Sequence, residues 1–583
     1  MFEKAVRTGA DQLLSALADN GVDIVFGYPG GAVLPLYDAL FQQNRIRHIQ
    51  TRHEQAAVHA AEGYARSTGK VGVVFVTSGP GMTNAITGLC EALMDSVSVL
   101  VISGQVATRL IGTDAFQEAD AIGLTRAATK RNWQVTDAHD VQAMVREALN
   151  TASSGRPGPV LLDVPKDIQS SIVDPDHSPS ERPNTEYAGS VSNEQIARFF
   201  DLVAGASKPV LLLGGGIISA GKTTCSQMQV LAQKYDLPVT ATLMGLGAYP
   251  ADNPNWLGMT GIHGTAEANL ALHGCDLLIA AGARFDDRVT AELDGFSPNS
   301  RKVHIDIDPS QINRLVQVDL GISCDLRSVL PKFLKSSDFS KTAPRDLSDW
   351  WAQIEEWRSL RSLSFEDSGS VIKPQALIEA LNAATKELAP FITTEVGQHQ
   401  MWSAQRFEFS QPRHWITSGG MGTMGFGLPA AIGIQVAHPD ALVMNIAGEA
   451  SAMMNMHELG TLSQYRLPVK QVILNNGRLG MVSQWQQLHH GERYSSSWSE
   501  ALPDFTMLAR SFGIKSARTN HPEQMNNAIV DMLEHPGPYL LECVVDHEES
   551  VFPMIPSGCT HDRLLLSKQD MIHAKALIEA GAF

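Results

Sequence analysis

Residues 441–476, ALVMNIAGEASAMMNMHELGTLSQYRLPVKQVILNN, decide the fold class. The apolar run Ala441–Ile446 reads as a strand that stops at Gly448-Glu449-Ala450-Ser451. A helical pattern follows from Met453 to Gln464, and a second apolar run, Val469–Leu474, ends in Asn475-Asn476. Near-continuous apolar strands around a helix describe a parallel sheet covered on both faces. The right-handed crossover of a βαβ unit puts both strand ends on one edge. Ligands of such sheets bind outside the carboxyl ends of the strands. Glu449 and Asn476 thereby offer a carboxylate and an amide oxygen to one hard cation, the donor set Mg²⁺ takes alongside phosphate oxygens and water. Gly448, Ala450 and Ser451 are small enough to let a diphosphate approach the next helix. Ordinary turn residues after two strands are the competing reading of the same positions.

The alternation of apolar runs and helical patterns extends along the chain, with VGVVFVTSG (71–79), PVLLLGGG (209–216) and DLLIAAG (276–282) as further strands. The expected fold is α/β, with three doubly wound parallel-sheet domains. The stretch Ser170–Asn193, rich in Pro, Ser and charge, reads as one linker. Lys335–Pro374 reads as another and contains a tryptophan-rich helical segment (Trp350, Trp351, Trp357). The expected domains are 1–185, 186–368 and 369–583. The first and third echo each other. Pro157-Gly158-Pro159-Val160-Leu161-Leu162-Asp163 returns as Pro536-Gly537-Pro538-Tyr539-Leu540-Leu541-Glu542, and VVFVTSGPGMTN (73–84) returns as LVMNIAGEASAMMN (442–455). One duplication around a different middle domain explains both.

Of 583 residues, 44% are hydrophobic and 18% charged, which excludes a disordered chain. Acids outnumber bases 62 to 45, so the chain carries a formal charge of −17, and no basic stripe points to nucleic acid. No apolar run is long enough to span a membrane. The six cysteines form no CxxC pair and read as isolated core residues of a reducing compartment. With no secretory or transit pattern at the N-terminus, the expected location is cytoplasmic.

Gly448-Glu449-Ala450 followed by Asn475-Asn476 resembles the Gly-Asp-Gly…Asn-Asn signature of thiamine diphosphate and Mg²⁺ binding. The wider chain, from about residue 8 to about 560, resembles the catalytic large subunits of acetohydroxyacid (acetolactate) synthase. The resemblance rests on FGYPGGAVLPLYDAL (26–40), RHEQAAVHAAEGYAR (52–66), IGTDAFQEAD (111–120), GRPGPVLLDVPKD (155–167), GARFDDR (282–288), GTMGFGLPAA (422–431), NNGRLGMVSQWQ (475–486) and FPMIPSG (552–558).

The resemblance implies that Glu54 binds the pyrimidine nitrogen of thiamine diphosphate and relays its proton. It implies that Tyr28, Gly31, Val396, Gly397, Gln398, His399, Gly422, Ala450, Ser451, Gly480 and Met481 also contact that cofactor, with Met424 as a wedge beneath it. Gln117 is implied beside the reacting carbon and Lys166 near the entrance. Glu449, Asn476 and the carbonyl of Arg478 are the implied metal ligands. Glu449 reaches roughly 1.5 Å beyond the usual Asp. FAD is implied at Arg156, Gly214, Gly215, Gly216, Thr242, Leu243, Gly282, Ala283, Arg284, Asp286, Val289, Asp306, Ile307 and Asp325. A buried Arg288, forking onto a carboxylate, and Trp485 are the implied pocket for the second substrate. Ile262 stands where the family usually has Met.

The implied reaction decarboxylates pyruvate and transfers its two-carbon unit to pyruvate or 2-oxobutyrate, in branched-chain amino acid biosynthesis. Implied partners are a second and possible fourth copy (homodimer or homotetramer) and a small regulatory subunit. Two rivals remain open: another thiamine diphosphate-dependent decarboxylase or oxidase of this fold, and a non-catalytic flavin-binding subunit.

Overall fold

The computed structural model describes residues 7–174 and 189–570. Among them, three six-stranded sheets form, and all pairing within each sheet is parallel. Strands such as Gly72–Val76, Val99–Gln105 and Leu277–Ala281 are buried along their whole length, which is why their sequences are apolar without alternation. A short antiparallel ribbon pairs Arg7–Thr8 with Ile172–Val173.

Numbered in chain order within each sheet, the first sheet (strands from Ile24 to Pro165) runs 2-1-3-4-6-5. The last sheet (Phe391 to Val544) repeats that order. The two sequence echoes fall on equivalent strands: Gly72–Val76 and Val443–Gly448 are each third, and Val160–Pro165 and Tyr539–Val544 are each sixth. The middle sheet (Pro209 to Ser323) runs 3-2-1-4-5-6, the order of dinucleotide-binding folds.

Two expectations change. The Trp-rich segment is helical as expected, Ser348–Arg358, but it is packed core and not linker: Trp350 is buried and donates from Nε1 to the carbonyl of Pro209 (3.1 Å). The helix expected over 453–464 is broken into Glu449–Met454, a 3₁₀ turn at Met456–Glu458, and Leu459–Tyr465. Asn455 leaves helical geometry at the break and donates from Nδ2 to the carbonyl of Gly425 (2.7 Å). The expected boundary at 185/186 lies outside the described residues.

The first and third domains meet along helices Glu54–Thr68 and Gly427–Ala437. Glycines permit the crossing: a Cβ on Gly63 would collide with the carbonyl of Ala430, and one on Gly433 with the carbonyl of Ala60. Beside the crossing sits a buried charge cluster. The Arg66 guanidinium lies 2.8 Å from Asp95, 3.4 Å from Glu62 and 3.6 Å from Glu91, and the three carboxylates are inaccessible. Three charged acids around one cation is an expensive arrangement in a buried site. Burial and the neighbouring Asp95 push Glu62 up to about 8 against the pull of Arg66, and burial pushes Glu91 well up too. Burial is the largest influence on Asp95 and opposes its ionisation, but Arg66 and the hydrogen bonds from Glu91 and the Gly419 N–H together outweigh it and hold Asp95 below its usual range. The cluster is then balanced: one cation, one anion, two neutral acids.

A carboxyl whose folded pKa is raised contributes stability in full below its ordinary value of 4.5 and loses it as pH rises through the folded value. Between about pH 4.5 and 8 the fold keeps a proton on Glu62 that the unfolded chain has lost, so over that window Glu62 should cost the cofactor-free protein up to about 1.4 kcal/mol per pH unit, with no further loss from this group above it. Glu62→Gln, neutral throughout, should therefore show a shallower fall of the thermal midpoint between about pH 5 and 8. Parallel profiles for parent and variant would show that Glu62 is ionised in the fold.

Candidate active site

In the third sheet the strand order reverses between Phe391–Thr394 and Val443–Gly448, and such a reversal opens a crevice at the strand ends. Val396-Gly397-Gln398-His399 follows the first strand and Glu449-Ala450-Ser451 the second. The buried His399 ring stands against both glycines there: a Cβ on Gly448 would lie 3.1 Å from Nδ1, and one on Gly397 2.5 Å from Cε1. Glu449 opens its helix with 1% exposure, and its Oε1 makes no hydrogen bond. Burial pushes its carboxyl up to about 7.

Asn476 accepts at Oδ1 from the backbone N–H of Arg478 (3.0 Å) and donates from Nδ2 to Gln398 Oε1 (3.3 Å). Gln398 in turn donates to Gln484 Oε1 (3.0 Å). A Cβ on Gly480 would collide with Gln398. Gly422 (φ +71°) and Gly425 (φ +79°) bracket Met424 with the left-handed turns glycine tolerates. Among the described residues no three His, Cys, Asp or Glu side chains cluster as a metal site. The donors at this edge are instead one carboxylate and neutral oxygens, a set that fits Mg²⁺ with phosphate and water.

The first sheet reverses between Ile24–Gly27, followed by Tyr28 and Gly31, and Gly72–Val76. Glu54 opens the helix Glu54–Thr68 and is only 8% exposed. Asn84 Nδ2 donates to its Oε2 (3.0 Å), Gly81 lies against its Oε1, and the N–H groups of Arg52 and His53 both donate to Glu458 Oε1 (2.7 and 3.1 Å). This is no solvated first-turn acid. Gln117 is exposed, with φ +59°, and its backbone abuts Gly79. Lys166 is exposed at the first turn of Lys166–Ser170.

A cavity of about 1290 Å³ lies at the junction of the three domains. Val396, Gly397, Gly422 and Met481 line it, as do Arg288 and Trp485. It also takes in Arg156, Thr242, Leu243, Arg284, Asp286, Val289 and Ile307. A second cavity of about 140 Å³ shares Arg156, Thr242, Arg284, Asp286 and Ile307 with it and adds Gly215, Gly216, Gly282, Ala283, Asp306 and Asp325. Gly214 lines neither, yet it cannot bear a side chain, because a Cβ there would collide with the carbonyl of Gly282. These loops follow the first and fourth strands of the middle sheet, its own point of reversal. A dinucleotide with two phosphates fits this pair of connected spaces and their arginines. Tyr28, Gly31, Glu54, Gln117 and Lys166 do not line the large cavity.

Three domain profiles match the chain: the thiamine pyrophosphate enzyme N-terminal TPP binding domain over residues 7–124, the central domain over 196–333, and the C-terminal TPP binding domain over 395–543. The acetolactate synthase isozyme 3 large subunit of Escherichia coli is 46% identical over 574 residues, covering 97% of this chain and 99% of that one. The acetolactate synthase large subunit of Haemophilus influenzae is 44% identical over 567 residues, covering 96% and 98%. This chain belongs to the acetolactate synthase large-subunit family.

Within that family membership one expected feature changes. Arg288 is not buried: its side chain is 65% exposed and forks onto the adjacent Asp287 (3.0 and 2.7 Å). Asp286 caps the one-turn helix Asp287–Thr290, which projects the guanidinium outward into the cavity mouth. Trp485 is half-buried, with its ring stacked on His489 (4.9 Å between centroids). The sequence reading also missed two things. Asn84, the partner of Glu54, stood inside the quoted GPGMTN turn but had no role there. The segment Val551–Leu565 crosses to the middle domain, where Ile555 N–H donates to the Ile262 carbonyl (2.9 Å) and Glu292 N–H to the Cys559 carbonyl (3.1 Å). Both are backbone contacts, which carry no signal in residue type.

Proposed function

We propose that this chain is a catalytic acetolactate synthase subunit. In this reading it decarboxylates pyruvate and passes the two-carbon unit to pyruvate or 2-oxobutyrate, with thiamine diphosphate, Mg²⁺ and FAD bound. Thiamine diphosphate, when bound, supplies the carbanion chemistry of the reaction. The observation that carries the reading is the buried, unbonded Glu449 oxygen on the same strand-end edge as Asn476 and His399. Glu449, Asn476 and the Arg478 carbonyl would hold the cation. The glycines at 397, 448 and 480 leave room for the His399 ring and the Gln398 side chain, and these, with Ala450, Ser451, Val396, Gly422 and Met481, would surround the diphosphate. The longer Glu449 arm fits because it starts from a helix N-terminus bordered by glycine.

On the opposite half, Glu54 would hold a proton at the pyrimidine nitrogen, kept from water by burial and oriented by Asn84. Tyr28, Gly31 and Gln117 flank it, and Lys166 stands at the entrance. In this reading the Glu54 half-site of one copy completes the Glu449 half-site of another, so at least a dimer works. The middle domain holds FAD in a structural role. Arg288 exchanges Asp287 for the carboxylate of the second 2-oxoacid, and Trp485 packs against its alkyl end. The domain limits 1–185, 186–368 and 369–583, a cytoplasmic location and a small regulatory partner belong to the same reading. Among the described residues no helix is long and apolar enough to cross a membrane.

Acetolactate formation from pyruvate, with each cofactor omitted in turn, tests the reading as a whole. Glu54→Gln keeps shape and loses the proton, so turnover should drop about 10²–10⁴-fold; near-parent turnover removes Glu54 from the chemistry. Glu449→Gln should weaken Mg²⁺-dependent cofactor retention by at least about tenfold, the lower end of what even outer-shell changes cost. Glu449→Asp should stay active, and unchanged Mg²⁺ affinity in Glu449→Gln would place the cation elsewhere. Trp485→Ala should erode the preference for 2-oxobutyrate in competition with pyruvate by about 10–200-fold at most, the worth of one methylene. Intact selectivity with collapsed turnover would make Trp485 a packing residue.

A further inference from the structure

The segment Ser418-Gly419-Gly420-Met421-Gly422-Thr423 leads into Met424, and its residues 419–422 line the large cavity. Three glycines in six residues give it little conformational preference of its own. Its shape comes from the first domain. The Asp95 carboxylate accepts the N–H of Gly419 on Oδ2 (2.9 Å) and the N–H of Gly420 on Oδ1 (2.7 Å). Glu91 Oε2 accepts the hydroxyls of both Ser418 (2.7 Å) and Thr423 (2.6 Å), one at each end of the segment. Thr423 N–H closes the loop by donating to Ser418 Oγ (2.6 Å). Arg66 ties the same carboxylates to the chain just before the loop, donating to Asp95 Oδ2 (2.8 Å) and to the Thr417 carbonyl (2.8 Å).

We infer that Asp95 and Glu91 are positioning residues of the reaction, which shape the Ser418–Thr423 loop from outside its domain and thereby set the side chain of Met424 under the cofactor. The inference rests on the reading of Met424 as the wedge beneath thiamine diphosphate. Neither carboxylate lines the large cavity, and Asp95 borders only the smaller one. Each acts through backbone and hydroxyl contacts, and Asp95 does so as a charge-assisted acceptor, the strong kind. An amide at position 95 turns one acceptor oxygen into a donor that faces a donor. At least one anchor of the loop is then lost, and a displacement of about 1 Å at a reacting group costs as much as 10²-fold.

The test uses the full chain loaded with thiamine diphosphate and Mg²⁺. Three quantities are measured: exchange of the thiazolium C2 proton with deuterium, cofactor affinity by intrinsic fluorescence, and the thermal midpoint. Asp95→Asn should slow the exchange about 10–100-fold and weaken cofactor affinity in the folded protein. Asp23→Asn serves as the stability control: Asp23 accepts from Tyr64 of the same helix (2.6 Å) and from Lys70 just beyond it (3.3 Å), remote from the loop. It should lower the midpoint and leave exchange at the parent rate. Should Asp95→Asn fail to fold, Thr423→Val carries the test, since it removes one Glu91 contact at constant shape and should slow exchange to a lesser degree. Parent-like exchange and affinity in folded Asp95→Asn, or in Thr423→Val where the first does not fold, overturn the inference. Met424→Ala separates the two levels: if it too exchanges at the parent rate, the wedge reading has failed, and the positioning role falls with it.

Discussion

The crossing of helices Glu54–Thr68 and Gly427–Ala437 is the constraint on which the rest of the molecule depends. It brings backbone against backbone at Gly63 and Gly433, which no larger residue permits. The first and third domains descend from one sheet plan, so each would otherwise present the same covered helices to solvent. Packing one such helix from each domain buries Val58, Ala60, Ala61, Phe426, Ala430 and Ile434 in a single core. The Arg66 cluster then fixes the sliding and rotational freedom that an interface of small residues leaves open. Its hydrogen bonds have one correct geometry, whereas Ala-on-Ala packing has many.

That crossing also decides where the functional edges lie. Glu54 begins one of the two helices, and Met424 lies just before the start of the other, so each half-site is attached to one end of the crossing pair. The middle domain fills the third side with a sheet of different order, and its point of reversal meets the strand ends of the third sheet at the large cavity. Cofactor-binding loops of two unlike folds thus share one space, because each fold independently opens a crevice where its strand order reverses.

Much of this was readable from residue pattern because parallel sheets leave strong marks: unbroken apolar runs, polar residues at their carboxyl ends, and glycines where loops turn. The duplication was legible in two short echoes, at 157–163 and 73–84, which fall on equivalent strands of two sheets with the same strand order. What the pattern did not carry was set by distant partners. Asn455 breaks a helix that its neighbours favour, because its amide bonds to Gly425, thirty residues earlier. Arg288 was expected inside, yet Asp287 beside it supplies a carboxylate at the surface, and nothing in DDR distinguishes the two settings. In sequence nothing separates the Glu62, Arg66, Glu91 and Asp95 cluster from ordinary helix polarity, since Glu62 and Arg66 have the spacing of a solvated i,i+4 pair. Burial by another domain is the difference, and one helix does not record it.

The cavity wall at Ile262 shows how such a fold can vary its pocket without disturbing its chemistry. The segment Val551–Leu565 is latched to Ile262, Val289 and Glu292 by main-chain atoms, with His561 facing the Val289 carbonyl (2.8 Å) and His263 facing that of Pro553 (3.3 Å). Burial pushes both histidines down to about 4, so they stay neutral and the latch carries no charge at ordinary pH. Ile262 contributes its carbonyl to the latch and its side chain to the wall, where it packs against the Leu488, Met554 and Leu565 cluster. A carbonyl is common to every residue, so the latch survives substitution at 262 while the wall changes shape. Met to Ile at this position therefore alters the pocket's contour by branching and length alone. The residues that hold charge and proton, on other elements, stay where they are.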